Sequence, residues 1–333
     1  MHNNPIIAEV DFSQNGKHWG YLRLPHSVHR SAYGWIPIPV ASIKNGKGKT
    51  VLIMGGNHGD EYEGQVLVAE LFRILQPNMI QGQVILLPMA NFPAAQAGLR
   101  TSPIDQGNLN RSFPGKPNGQ PTEIIAHYIE HELLPRVDYV LDLHSGGSSL
   151  IYNGANMLVL KPRNQAEKLK VHQLIQDFGL PSAFFVPANP LTISSAARRQ
   201  GAISIVAELG GGARVDPKIL SQARQGVLHF LGAQSILQGA LVPKQPPSKP
   251  RLMHVAGDQH YVYARHQGVF VPSACLGSIV QAGQKAGEIH CPARPWDTPY
   301  QVTFVGGGEI ICQRALAQVE VGDCLFQLAG DEQ

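Results

Sequence analysis

Cysteine is scarce in this chain. The four present, Cys275, Cys291, Cys312 and Cys324, form no Cys-x-x-Cys pair and read as reduced, mostly packed thiols of a cytoplasmic protein. Long hydrophobic runs are also missing: none approaches the ~20 residues of a membrane span. The stretch from Met1 to Val10 has neither a basic segment nor an apolar core, so no secretory signal is expected. An excess of one charge is lacking too. Lys and Arg number 27 against 24 Asp and Glu, a net charge of +3, which argues against a nucleic-acid partner or a polybasic membrane surface. What remains is a chain of 333 residues, 43% apolar and 15% charged, the composition of a globular protein with one large core and one smaller.

The chain is organised around Gly55-Gly56-Asn57-His58-Gly59-Asp60-Glu61-Tyr62-Glu63-Gly64. Before it, Thr50 to Met54 is apolar and partly β-branched, the signature of a buried strand; after it, residues 65–75 carry apolar side chains at helical spacing. A glycine turn between them puts His58 and Glu61 at the carboxyl end of a strand, the edge where open α/β sheets bind ligands. An imidazole and a carboxylate converging there are two thirds of a catalytic zinc site, although the same Glu could merely favour a helix amino terminus. A second apolar strand, residues 137–143, also stops at a histidine followed by glycines, and could bring His144 to the same edge. Asp142, two residues earlier, points to the same side and could accept the spare N–H of a ligating imidazole.

Alternating strands and helices continue to about residue 235, the pattern of an α/β sheet flanked by helices. Segments 22–25 and 35–40 carry prolines and read as edge strands, and a helix is expected from Pro121 to Leu134. Residues 241–250, rich in proline, read as a linker between a domain spanning 1–240 and a smaller all-β domain spanning 251–333. The latter is expected to be a flattened sandwich of short strands, with Gly283 and Gly322 in similar turns. No lysine in it sits in an obvious carrier hairpin.

Residues 96–120 are polar and rich in glycine and proline, and a loop of that length is usually functional. Within it, Asn110 and Arg111 offer an amide and a planar guanidinium suited to a carboxylate, and Arg100 could polarise a carbonyl, although arginines more often serve as surface ion pairs. A last strand ends Ala207-Glu208-Leu209-Gly210. A carboxylate at that edge, beside a zinc-bound water, could take a proton from the water and hand it to a leaving nitrogen.

Gly55 to Gly64, Asn108-Leu109-Asn110-Arg111, Leu141 to Gly146 and Ala207 to Gly210 together resemble the succinylglutamate desuccinylase/aspartoacylase family of zinc carboxypeptidase-like hydrolases. The resemblance covers roughly residues 45–235 and the trailing β region. It implies a carboxypeptidase-like mixed sheet and one zinc ion per chain on His58, Glu61 and His144. Glu208 becomes general base and acid, Asn110 and Arg111 the carboxylate clamp, and Arg100 the carbonyl polariser. The fuller wording of residues 55–64 and 100–115 is similar to one subgroup, deacetylases of N-α-acetyl-L-2,4-diaminobutyrate in ectoine breakdown.

The substrate class implied is a small N-acyl amino acid, with a homo-oligomer left open. A diacid-specific deacylase, a peptide carboxypeptidase and a binding module are the alternatives. Asp60 or Asp105 would suit a substrate ammonium, and Arg198 or Arg199 a second carboxylate.

Overall fold

The computed structural model describes residues 4–255 and 257–331. Residues 1–3, 256 and 332–333, which fall within the amino-terminal stretch and the expected domain bounds, lie outside the described residues. Strands form where β-branched and apolar residues concentrate. In chain order they are β1 (Ile7–Ala8), β2 (Gly16–Pro25), β3 (Trp35–Asn45), β4 (Thr50–Gly55), β5 (Gly82–Leu87), β6 (Tyr139–His144), β7 (Leu150–Leu160), β8 (Ser182–Val186) and β9 (Ile203–Gly211). Then follow β10 (Arg251–His254), β11 (Tyr261–Tyr263), β12 (Gly268–Pro272), β13 (Ile279–Val280), β14 (Lys285–His290), β15 (Tyr300–Thr303), β16 (Gly308–Arg314), β17 (Gln318–Val319) and β18 (Cys324–Asp331). The helices are α1 (Tyr62–Ile74), α2 (Phe92–Ala97), α3 (Pro121–Tyr128), α4 (Gln165–Phe178), α5 (Ile193–Arg199) and α6 (Pro217–Ala233).

One mixed sheet dominates, in the order β1-β2-β3-β5-β4-β6-β9-β7-β8-β10-β18-β16-β13. Its centre, β5-β4-β6-β9, is parallel and buried on both faces. Val51, Ile53, Leu141 and Ala207 pack with α1, α4 and α6 on one face, while Leu52, Met54 and Val140 pack with α3 and α5 on the other. The fold is therefore mixed α/β with helices on both sides of the sheet. Because β4, β6 and β9 are parallel neighbours, their carboxyl ends open onto one edge.

Pro37 and Pro39 lie in β3, which is not an outer strand. Yet β5 pairs only with residues 41–45 of β3, so both prolines occupy a length hydrogen-bonded on one side alone. The helix from Pro121 is shorter than expected: it widens to a π turn over Ile129–Leu133 and tightens to a 3-10 turn over Leu134–Arg136. Pro135 explains this, since it has no N–H to continue the ladder. The thiols are less packed than expected, with only Cys312 buried and Cys275 exposed.

Residues 241–250 contain no helix or strand, and Ser248 ties them down by donating its N–H and hydroxyl to the Gly179 carbonyl. Beyond them, β15-β14-β12-β17 form a second sheet facing β11, β18, β16 and β13, with Phe270, Ile289, Phe326 and Leu328 between the layers. These strands also join the main sheet. β10 pairs with β8, and β16 pairs with the first residues of β7, so β7-β8-β10-β18-β16 make a closed circuit. Tyr152, Phe184, Met253, Ile311 and Cys312 form a separate apolar cluster drawn from those strands.

The close seating of α1 on β6 depends on Gly64, where a Cβ would stand 2.1 Å from the Leu143 carbonyl oxygen. Ala there would gain about 1 kcal/mol of helix propensity. The backbone clash costs more, because no rotamer relieves it. Gly64→Ala is expected to lower the unfolding free energy by about 2 kcal/mol net. Urea denaturation checks this, and a more stable variant would show that the helix can slide away at little cost.

Candidate metal centre and active site

The turn after β4 is built by glycines with distinct tasks. Gly56 adopts φ +65°, and at Gly59 a Cβ would lie 2.0 Å from the Ala94 carbonyl. The Gly59 N–H donates to the Leu99 carbonyl at 2.9 Å, tying the turn to the long loop. Glu61 is the residue before α1, so its side chain leaves the turn rather than the helix face. His144 ends β6 and is the cross-strand partner of Glu208 on β9, so the two side chains share one face of the sheet edge.

The result is a tight buried cluster. His58 Nδ1 lies 2.7 Å from Glu61 Oε1, and His144 Nδ1 lies 2.7 Å from Glu61 Oε2. The three residues are 2–3% exposed, and their ligand atoms all fall within 4.8 Å of one another. The far ring nitrogens meet acceptors: His144 Nε2 faces Asp142 Oδ2 at 2.7 Å, and His58 Nε2 faces Asn108 Oδ1 at 3.1 Å. Asn57 donates to the same Asp142 oxygen at 3.0 Å.

These outer acceptors test whether the site suits a cation. They hold a proton on each Nε2, so a neutral imidazole turns its Nδ1 lone pair toward the Glu61 carboxylate. Two lone pairs and a carboxylate at 2.7 Å repel unless positive charge sits between them. Without an ion, a proton on His144 supplies that charge. Burial opposes a charged His144, but Asp142 and Glu61 raise its pKa well above the ordinary value. Burial likewise opposes ionised Glu61, yet His144 and His58 hold it below the usual carboxylate range. Asn57 Oδ1, Asp60 Oδ1 and Asp142 Oδ1 are buried acceptors without a hydrogen-bond partner. Two nitrogens and a carboxylate are a donor set for a divalent metal ion, and the residues fit one.

His58, Glu61 and His144 line a cavity of about 270 Å³ together with Glu208, Arg100, Asn110 and Arg111, while Asp142 stands behind it. The structure thus brings together the eight residues to which the sequence gives a ligand, imidazole-orienting, clamp, carbonyl-polarising or proton-transfer role. Glu208 opens onto the cavity along one edge, but burial pushes its pKa up to about 8; Glu61 and Asp142 add to this, and His144 and Arg100 oppose it. Arg100 Nη1 lies 3.4 Å from both His58 Nδ1 and Glu61 Oε1. Burial and the nearby Arg100 both lower the Arg111 pKa, so two guanidiniums face one space and favour an anion there. Asn110 Oδ1 accepts the Ile193 N–H at 3.0 Å, which leaves the amide NH2 as the group free to donate.

Four residues weighed for the substrate side chain do not reach the cavity. Asp60 accepts from Ser148, and Asp105 accepts from Gly107 and Thr122. Arg198 pairs with Glu167, and Arg199 pairs with Glu130 through two bonds of 2.8 Å. Sequence reasoning passed over Asn57, Asn108 and Tyr152. Asn57 and Asn108 sit inside the quoted motifs, which was a usable signal. Tyr152 had none, since β7 carries it to the cavity wall. There burial and Glu208 raise its phenol well above the ordinary value, keeping it a neutral donor.

Comparison with known proteins places these residues in context. The sequence model of the succinylglutamate desuccinylase/aspartoacylase catalytic domain matches residues 47–233. The chain is 39% identical, over 331 residues, to the N-alpha-acetyl-L-2,4-diaminobutyric acid deacetylase of Halomonas elongata, covering 98% of this chain and 95% of that one. A succinylglutamate desuccinylase/aspartoacylase from Rhodobacter sphaeroides superposes with a TM-score of 0.93 at 32% identity, covering 99% of this chain and all of that one. The product-bound ectoine utilization protein EutE (DoeB) from Ruegeria pomeroyi superposes with the same score and identity over 98% and 99% of the two chains.

Behind the ligands, burial raises the fully buried Glu63 to about 7 from an ordinary 4.5. Between those values the unfolded chain has released a proton that the folded chain keeps, so stability falls as pH rises through this window and levels off above it. Glu63→Gln removes that loss and is expected to stabilise the protein at pH 8 by on the order of 2 kcal/mol relative to its effect at pH 4. Thermal melts across pH test this; a parallel pair of profiles would mean that Glu63 titrates normally.

Proposed function

The chain belongs to the succinylglutamate desuccinylase/aspartoacylase family, and from that premise we propose a zinc-dependent deacetylase of N-α-acetyl-L-2,4-diaminobutyrate. The observation that favours a single carboxylate over a diacid is the charge of the cavity, and the 39% identical deacetylase supplies the choice of amino acid. Among the described residues that line it, Arg100 and Arg111 are the guanidinium or ammonium groups, and Leu150, Leu158, Leu160, Val186 and Val206 supply apolar wall. One arginine is engaged at the ligands, which leaves one carboxylate to be clamped by Arg111 and Asn110. A diacid substrate such as acetylaspartate or succinylglutamate would bring further carboxylates, and Arg198 and Arg199 are committed elsewhere. A small uncharged acyl group fits, and the deacetylase function of the 39% identical relative supports the same choice.

Bound by His58, Glu61 and His144, zinc supplies Lewis acidity, lowering the pKa of water toward about 7 and polarising a carbonyl. The chain's own residues do the rest. Arg111 and the Asn110 amide hold the substrate carboxylate and so fix where the amide lies. Arg100, at the rim beside the ligand atoms, donates to the amide oxygen as charge grows on it. Glu208 takes a proton from the attacking water as the new C–O bond forms. It delivers that proton to the nitrogen as the C–N bond breaks, releasing acetate and the amine. Its high proton affinity suits the second half of that exchange.

The domain division belongs to the same proposal. A carboxypeptidase-like hydrolase unit is assigned to 1–240 and a β unit to 251–333, the latter meeting the cavity wall through the β7–β16 pairing. Its separate apolar layer supports this division. A cavity of about 270 Å³ disfavours a peptide chain.

Amine release from N-α-acetyl-2,4-diaminobutyrate, acetylaspartate, succinylglutamate and a blocked peptide tests the proposal. The first is expected to be turned over at least about tenfold more efficiently, with activity lost to a chelator and restored by zinc. Preference for a diacid would retain the family and reject the substrate. Glu208→Gln is expected to lower kcat by about 10²–10⁴-fold with zinc content unchanged. A variant that kept its kcat would remove Glu208 from the proton path.

A further inference from the structure

We infer that Asp60 is a positioning residue: its buried carboxylate latches the loop 145–148 and thereby fixes the metal ligands relative to Glu208. Asp60 is 3% exposed and does not line the cavity. Its Oδ2 accepts both the N–H and the hydroxyl of Ser148, each at 2.8 Å. Gly147, at φ +58°, makes room for this, since a Cβ there would stand 2.6 Å from the same oxygen. The adjacent Glu61 accepts the Ser145 N–H at 3.2 Å. Two consecutive acidic residues of the first turn therefore grip both ends of the loop that follows His144.

The other side of that loop is bonded to the segment that follows Glu208. Gly146 N–H donates to the Gly210 carbonyl at 3.1 Å, and Ala213 N–H donates to the Gly147 carbonyl at 2.8 Å. Leu150 N–H reaches back to Gly146, and Gly212 N–H reaches Leu150. The loop is thus a bracket with His58 and Glu61 on one arm and Glu208 on the other, and Ser145 and Gly146 line the cavity between. Release of Ser148 frees the bracket on the ligand side while its β9 side stays fixed. Catalytic constellations tolerate little of that displacement. A carboxylate is suited to the task because one oxygen can accept from a backbone and a side-chain donor at once.

The inference rests on the ligand and base assignments above, and its test separates the two. Zinc release from the loaded protein to a chromogenic chelator is measured without substrate, alongside kcat and KM. Asp60→Ala is expected to hasten zinc release and lower kcat by about 10–100-fold each, with KM changed less than about threefold. Ser148→Ala, which keeps the backbone N–H, is expected to shift both in the same direction by about threefold to tenfold. The double variant should be no worse than Asp60→Ala alone, the mark of a shared interaction. Should Asp60→Ala not fold, Ser148→Ala decides.

Unchanged zinc release and kcat with only a lower Tm would overturn the inference in favour of plain packing. A rise confined to KM would overturn it in favour of substrate contact. An error in the substrate assignment would show separately, as an inactive parent whose zinc-release ratios still follow the pattern.

Discussion

A carboxylate held 2.7 Å from two imidazole nitrogens is the constraint on which the rest of this structure depends. His58 and Glu61 share one turn, His144 comes from a strand more than eighty residues later, and each is nearly sealed from water. Acceptors on the outer side of both rings leave lone pairs facing the carboxylate. Such a cluster requires positive charge, as a proton on His144 or as a cation among the ligands, so the fold has to bring charged groups together out of water. The parallel strands supply the force to do it. β4, β6 and β9 are locked by ladder hydrogen bonds and packed on both faces, and their ends cannot drift apart to relieve the crowding.

That rigidity is then graded outward. The ligands stand on strand ends and a glycine turn, while the clamp of Asn110 and Arg111 stands on a loop pinned to α5 through Ile193. The wall carrying Leu150 and Tyr152 belongs to the first residues of β7, which lie between β9 and β16, with an irregularity in the β9 ladder between Ile151 and Ala155. Among the described residues the carboxy-terminal strands line none of the cavity and meet its wall only through β7. This arrangement separates tasks: the centre of the sheet holds the charge chemistry, and the periphery sets what can approach it.

The motifs were legible because their chemistry is local. His58 and Glu61 sit three residues apart across one turn, and Asp142 and His144 sit two apart on one strand, so period and spacing alone place them. The α/β alternation was legible for the same reason. Residues whose meaning depends on a distant partner were not. Asp60 looked like a candidate for a substrate ammonium until Ser148, eighty-eight residues later, was found against it. Arg198 and Arg199 looked free until Glu167 and Glu130 took them. Tyr152 reaches the cavity through β7, a strand whose first residues pair with β16 from the far end of the chain. The end of α3 was blurred by Pro135, whose effect on hydrogen bonding is local but whose π turn no periodicity announces.

Charge placement links these levels. Glu61, Glu63, Asp60 and Asp142 lie within the buried shell around the centre, and an oxygen each of Asp60 and Asp142 has no hydrogen-bond partner. In a protein selected for stability alone, such groups would be replaced by apolar ones of similar shape. Their concentration behind the ligands makes sense if the shell is built for a cation, because each carboxylate that destabilises the empty site strengthens the field that a divalent ion meets there. Burial, with Glu61 and Asp142 adding to it, raises the proton affinity of Glu208, the residue that has to return a proton to a departing nitrogen. Stability given up in the shell and part of the proton affinity gained at the base thus share Glu61 and Asp142 as a source. A neutral substitution in that shell would therefore be felt at both, even where it touches neither the ligands nor the substrate.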